Sequence, residues 1–295
     1  MEIQRNAVSP IGNIKQGWEL IKNDYWMLFA MMLVLLVITV AISFVLGLVV
    51  AAISGAISIA VGVASAGAGD AGRAAASIVP QLISQFLNII TSLIVGTLSG
   101  VLYCGIYKGL SRRANGGQLD FGDLFTGFEN ILQCFIVSLI FSIIQFAFGV
   151  VMIFIGFAAG ASALAGGLVT PDGKLNPAIT GALLSGVLII ALIYLVVALI
   201  FSSLTIFTYP LIADRKMTAL EALTTSIKAG FSNLLGIIGL LIVLFFMLFG
   251  GTMLCFVGLL FVLPLLPSAI FTAYLNVFGK APHIGKQSPP PPPVF

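Results

Sequence analysis

The sequence predicts an all-α polytopic membrane protein with six transmembrane helices. They are arranged as three repeats of an amphipathic interfacial helix followed by a transmembrane hairpin. Three observations predict this. Hydrophobic residues make up 60% of the chain and charged residues 8%, whereas soluble domains run near a quarter charged. Six uncharged apolar stretches, over about 27–50, 82–106, 131–155, 184–208, 233–250 and 252–277, are each long enough at ~20 residues to cross a ~30 Å hydrocarbon core. The basic residues segregate. Of 13 Lys and Arg, only Arg73 and Lys174 fall on the outer side of that topology. The rest share one side with both termini, which the positive-inside rule makes cytoplasmic.

The first repeat covers about 9–110. Ser9-Pro10 reads as a helix start, with a capping residue followed by proline at the first helical position. Ile11, Ile14, Trp18, Ile21 and Tyr25 then recur at helical spacing and form an apolar face. Trp18, Tyr25 and Trp26 suit an aromatic belt at the membrane interface. No charge appears from Tyr25 to Gly69. That run exceeds the ~7–15 residues of a signal-peptide core, so it is expected to remain as a span. A small-residue connection, Ala64 to Ala76, separates it from the second span.

The second repeat covers about 120–213. It starts at Asp120, with Asp123 placed where a carboxylate suits the helix dipole, and its apolar face is Phe121, Leu124, Phe128 and Ile131. Its outer connection is again small, Gly156 to Gly167, and leads into a turn at Pro171-Asp172-Gly173. The third repeat covers about 218–278. Thr218-Ala-Leu-Glu221 is a capping box, followed by the face Leu220, Leu223, Ile227, Phe231 and Leu234. Gly250-Gly251 is its expected outer turn. Residues 1–279 thus form one membrane domain, and 280–295 a cytoplasmic tail. The prolines Pro289, Pro290, Pro291, Pro292 and Pro293 favour an extended rod, ending in Val294 and Phe295.

Few residues offer chemistry. The only histidine, His283, lies in the tail, which leaves no partner for a Ser-His or Cys-His pair in the spans. No phosphate-binding glycine loop of the P-loop type is present. Cys104, Cys134 and Cys255 lack metal-site spacing and read as buried free thiols. No catalytic residue, metal or cofactor is expected, and the positive charge needs no nucleic acid to explain it. Ionisable side chains inside spans mark ion pathways, and none is found. The polar side chains at depth are Gln85, Asn88, Gln145, Ser202 and Ser203, which interhelical hydrogen bonding explains; Asn88 and Gln145 form the cluster that would line a path for a lipid or small neutral solute. Arg112, Arg113, Arg215 and Lys216 follow the second and fourth spans at matching places. They set topology and are candidates for anionic head-group contact, at about 1 kcal/mol per basic residue. Pairs such as Gly96 with Gly100, Gly105 with Gly109, and Gly156 with Gly160 allow close helix packing.

Three segments carry a resemblance: WELIKNDYW (Trp18 to Trp26), DFGDLFTGF (Asp120 to Phe128) and YPLIADRKMTALEAL (Tyr209 to Leu223). They resemble uncharacterised bacterial six-span membrane families, which are similar to the membrane domain attached to some glycerophosphoryl diester phosphodiesterases. The resemblance implies an all-helical inner-membrane domain. The phosphodiesterase catalytic domain has no counterpart, so no catalytic residue is carried over. The expected function is a non-enzymatic scaffold, accessory subunit or lipid-organising element of a bacterial inner membrane. Its partners would be membrane lipids and a membrane protein, met through the interfacial helices or the proline tail. The alternatives are a permease or flippase-like protein for a lipid or small neutral solute, and an anchor for a separately encoded enzyme.

Overall fold

A computed structural model describes residues 3–67, 69–165, 176–253 and 257–279. Among those residues every regular element is helical. In chain order they are α1 (Pro10–Ile21), α2 (Tyr25–Ala64), α3 (Asp70–Ala114), α4 (Asp123–Thr126) with a 3-10 turn at Gly127–Asn130, α5 (Ile131–Ala165) and α6 (Pro177–Thr205). Then follow α7 (Thr208–Arg215), α8 (Ala219–Ser232), α9 (Leu234–Met253), α10 (Val257–Val262) and α11 (Leu265–Phe278). Six segments are long and apolar enough to cross a membrane, the last one comprising α10 and α11.

Several expectations are corrected. The connection expected over 64–76 shrinks to 65–69, because α3 begins at Asp70. Alanine is the strongest helix former, so that segment extends the span instead of interrupting it. The small-residue segment from Gly156 likewise continues α5 to Ala165. The turn at Pro171-Asp172-Gly173 lies outside the described residues. Gly250 and Gly251 are not the turn: α9 runs through them to Met253, and Gly251 packs backbone to backbone on Gly258 of α10. The second amphipathic helix is only the single turn α4 plus the 3-10 turn. Gly127 sets this arrangement. A Cβ there would stand 1.8 Å from the Val101 carbonyl oxygen, so the chain crosses α3 in direct backbone contact.

The first four spans are long. α2 has 40 residues and α3 has 45, which at about 1.5 Å per residue makes them about 60 and 68 Å, twice a ~30 Å hydrocarbon core. Only one end of each is packed. In α2 nothing beyond Leu35 is buried, in α3 nothing described before Gly100, and in α5 nothing described after Ser142. The buried ends meet α1, α7, α8 and α11, and this is also where Lys108, Arg112, Arg113 and Arg215 lie. We refer to it as the basic end.

Glycines explain how this end closes. Between lipid-soluble helices the hydrophobic effect gives little net attraction, so association depends on close approach and hydrogen bonds. α3 is the hub and presents Gly96 to Ser138, Gly100 to the Tyr209 ring, and Gly105 to the Asp123 and Leu124 carbonyls. Farther out, α3 is joined to α2 by Ser84–Ser54 (2.8 Å) and Thr39–Ser99 (3.4 Å). It is joined to α5 by Ser142–Ser92 (3.4 Å). The chain also closes on itself. α1 packs along α11, where the Thr272 hydroxyl donates to the Asn13 carbonyl (2.8 Å) and Gly17 abuts Ser268 and Ala269. Buried Asn233 holds the segment before α1, accepting from Ala7 N (2.8 Å) and donating to Gln4 O (2.9 Å).

The predicted apolar faces divide: Ile21, Tyr25 and Leu124 are buried, while other bulky residues of the same faces stay exposed, as an interfacial helix requires. In α1, Asn13, Gly17 and Ile21 are buried, whereas Ile11 is 63% and Trp18 44% exposed. In α8, Ala219, Ala222, Ser226, Ala229 and Gly230 are buried, whereas Leu220 is 61% and Phe231 64% exposed. Phe128 and Ile131 are also exposed. The bulky face seeks lipid and the small face seeks protein, the reverse of a helix in water. Helix starts also differ in detail. Ser9 makes no side-chain cap, and Asn13 instead reaches back to accept from Ser9 N at 3.3 Å. The Thr218–Glu221 capping box is present as expected.

Candidate functional site

The basic candidates are brought to one end, and most are engaged within the chain. Arg112 pairs with Asp123 at 2.6 Å, the carboxylate being buried and the guanidinium half-exposed. Arg113 pairs with Asp24 at 3.0 Å and donates to the Leu20 and Gly117 carbonyls, fixing the end of α3 to the α1–α2 elbow. Arg215 donates to the Tyr274 hydroxyl (3.0 Å) and to the carbonyls of Phe278 (2.7 Å) and Gly279 (3.0 Å), closing the last turn of α11. A cation at a helix C-terminus is favoured by the dipole. The Tyr274 hydroxyl donates to Asp214 at 2.7 Å, and Ser111 donates to the other oxygen of the same carboxylate. One polar network thus ties α3, α7 and α11. Lys216 is exposed and turns the chain in the left-handed conformation, φ 51°.

Two helix breaks are mended by side chains. Proline lacks an N–H and frees the carbonyl four residues earlier. Pro264 therefore leaves Leu260 O without its helical donor, and the Tyr25 hydroxyl supplies one at 2.5 Å. Between α6 and α7, buried Ser226 donates to Leu204 O (2.8 Å) and accepts from Phe207 N (3.2 Å). Non-helical backbone at such places is stable only where other groups satisfy it.

The intramembrane amides separate. Asn88 is exposed on α3. Gln145 lies in a groove of about 340 Å³ between α5 and α6. These two legs touch chiefly through two aromatic bridges, Phe141–Phe201 and Phe148–Tyr194, each with ring centroids 5.3 Å apart. Gln145 sits between the bridges and accepts from Ser92 at 3.3 Å. Val197 and Ala198 face it across the groove. So the second repeat is a splayed pair, with α5 on α3 and α6 on α8 and α9. The tail prolines Pro289 to Pro293 and Phe295 lie outside the described residues, as does Cys255.

Sequence reasoning missed two features. Cys104 and Cys134, on different helices, bring their Sγ atoms to 3.6 Å in the buried α3–α5 contact as free thiols. Their spacing of 30 residues carries no signal. The second is a cleft of about 520 Å³ at the elbow between α1 and α2, lined by Trp18, Lys22, Asn23, Trp26 and Phe261. The cluster WELIKNDYW was its only trace. Among the described residues, no group of three or more His, Cys, Asp or Glu gathers as a metal site would require. Compared with known protein families, curated proteins and solved structures, the chain matches none.

Proposed function

We propose that this chain is a non-enzymatic integral protein of a bacterial inner membrane, with both termini in the cytoplasm, acting as a scaffold, accessory subunit or lipid-organising element. One observation supports this most. From Ile179 to Ser202 no described residue of α6 is buried. A span that its own chain leaves uncovered offers its surface to lipid or to another protein, while the basic end holds the body rigid. The resemblance to uncharacterised six-span membrane families agrees with an accessory role. A photoreactive residue placed at Leu188 or Leu192 in native membranes tests it. The reading expects one discrete protein adduct, or lipid adducts enriched in one class over the bulk. Adducts that mirror bulk lipid, with no protein, would contradict it. Comparing co-purifying proteins with and without residues 280–295 tests the tail, and unchanged partners would remove it from the proposal.

A second reading, a permease or flippase-like path for a lipid or small neutral molecule, is supported by the groove at Gln145. Its test is flux across vesicles containing the full chain, with Gln145→Leu as the variant. A rate that the substitution leaves unchanged would reject it.

A further inference from the structure

We propose that the cleft at the α1–α2 elbow binds the head group of a zwitterionic phospholipid, with its phosphate at Lys22 and its ammonium against the rings of Trp18 and Trp26. The inference rests on the lipid-organising side of the reading above. The position comes first. Asp24 is held by Arg113 at the end of α3, so the cleft lies where the longest span meets the basic rim, the level of lipid head groups. The charges come next. Lys22 pairs with Glu19 at 2.5 Å, both well exposed, and Asp24 is matched by Arg113. These two opposite pairs sum to zero, which complements a head group that is itself neutral overall. An anionic lipid would meet one available cation and two nearby carboxylates. An exposed (i, i+3) ion pair is worth little, so Lys22 turns from Glu19 to a phosphate at small cost. Glu19 is then left facing the ammonium.

The rings supply the rest. Trp18–Tyr25 and Tyr25–Trp26 are edge-to-face pairs with centroids 5.6 Å apart. The Tyr25 hydroxyl is already committed to Leu260 O, which fixes the floor between the two indoles. Indole faces attract alkylammonium groups. Trp26 is 70% and Phe261 59% exposed, and together they offer an apolar wall along which the acyl chains continue.

The chain has 2 tryptophans, and both line this cleft, so indole emission reports on this place alone. The experiment uses the full chain in mixed micelles containing phosphatidylcholine with a nitroxide on its head group. Unlabelled phosphatidylethanolamine or phosphatidylglycerol is added as competitor. The expected result is that the ethanolamine lipid relieves quenching at up to about fivefold lower mole fraction than the glycerol lipid, the scale of one exposed ammonium–ring contact. Glu19→Gln, which removes the carboxylate facing the ammonium, should bring that ratio towards one, and Lys22→Ala should weaken both competitors by removing the shared phosphate contact, whereas Lys15→Ala, on the same helix, should leave both unchanged. Equal potency of the two lipids on the wild type would overturn the proposal in favour of bulk lipid around an aromatic belt. Stronger competition by phosphatidylglycerol would overturn it in favour of an anion site. The wild-type ratio decides even if a variant fails to fold. Adducts at Leu188 and Leu192 do not involve this cleft, so either proposal can fail alone.

Discussion

Replacing Ser226 by Ala isolates the way this fold repairs a broken span. α6 stops at Thr205 and α7 starts at Thr208, and Pro210 in α7 has no N–H to offer the chain behind it. The Ser226 hydroxyl is fully buried and bonds both sides of the break, Leu204 O at 2.8 Å and Phe207 N at 3.2 Å. Alanine keeps the volume and removes both bonds. A buried polar group left without a partner costs about 1–3 kcal/mol, and hydrogen bonds in membrane proteins average lower, about 0.6 with a maximum near 1.7. Two backbone groups are orphaned here, which gives about 2 kcal/mol in total. The helix contact itself remains, because Gly230 still seats α8 on Leu204. The assay is unfolding of the purified protein by a denaturing detergent, followed by helicity, with Thr224→Ala as the control. Thr224 is exposed and donates only to Leu220 O and Glu221 O of its own helix, so its loss should change stability by less than about 0.5 kcal/mol. If Ser226→Ala matches that control, the break is satisfied some other way and the reasoning fails.

Three further outcomes are expected. Gly105→Ala would place a Cβ 2.2 Å from Leu124 O and 2.6 Å from Asp123 O, so it should abolish the folded yield in detergent. Gly47→Ala meets nothing within 4 Å and should raise stability by up to about 1 kcal/mol through helix propensity; equal behaviour of the two would discredit the close crossing of α3. Tyr274→Phe removes the donor to Asp214 and the acceptor for Arg215 and should lower unfolding free energy by about 1–3 kcal/mol, a drop that an unchanged denaturation curve would exclude. Lys216→Gly relieves a left-handed backbone at φ 51° and should stabilise by about 0.5–1 kcal/mol; a loss of stability instead would mean that the lysine side chain matters more than its backbone.

How much was legible in the sequence follows from which solvent each rule assumes. The six spans could be read because hydrocarbon excludes charge, and the runs from Met27 and Leu234 show it directly. The Thr218–Glu221 box could be read because capping is local. The inner face of α8 was not legible. Periodicity correctly found the row from Leu220 to Phe231, but in a bilayer that row faces out and Ala222, Ser226 and Ala229 face in. In α1 the buried small and polar positions Asn13 and Gly17 likewise carried no apolar signal. The lengths of α2 and α3 were underestimated because Ala- and Gly-rich sequence reads as loop in water, while alanine favours helix. Arg112 and Arg215 were visible as a basic rim. Their partners Asp123, Tyr274 and the Phe278 carbonyl depend on how α4 and α11 fold back onto α3 and α7. The aromatic and basic residues of the elbow were read separately, as belt and as topology signal. Only the arrival of Phe261 from α10 encloses them as one cleft.

The central claim is that the first four spans bury residues only at the basic end, among the described residues, while α6 stays uncovered by its own chain. A nitroxide scan of the purified protein in lipid bilayers, reading accessibility to dissolved oxygen, tests this most directly. Single cysteines at successive positions from Leu184 to Val197 would be introduced after the 3 native cysteines are replaced. The account predicts uniformly high oxygen accessibility along that stretch, against low accessibility throughout Val101 to Leu110, where most residues are buried and none is exposed. A clear 3.6-residue rhythm of protection along α6 would contradict it.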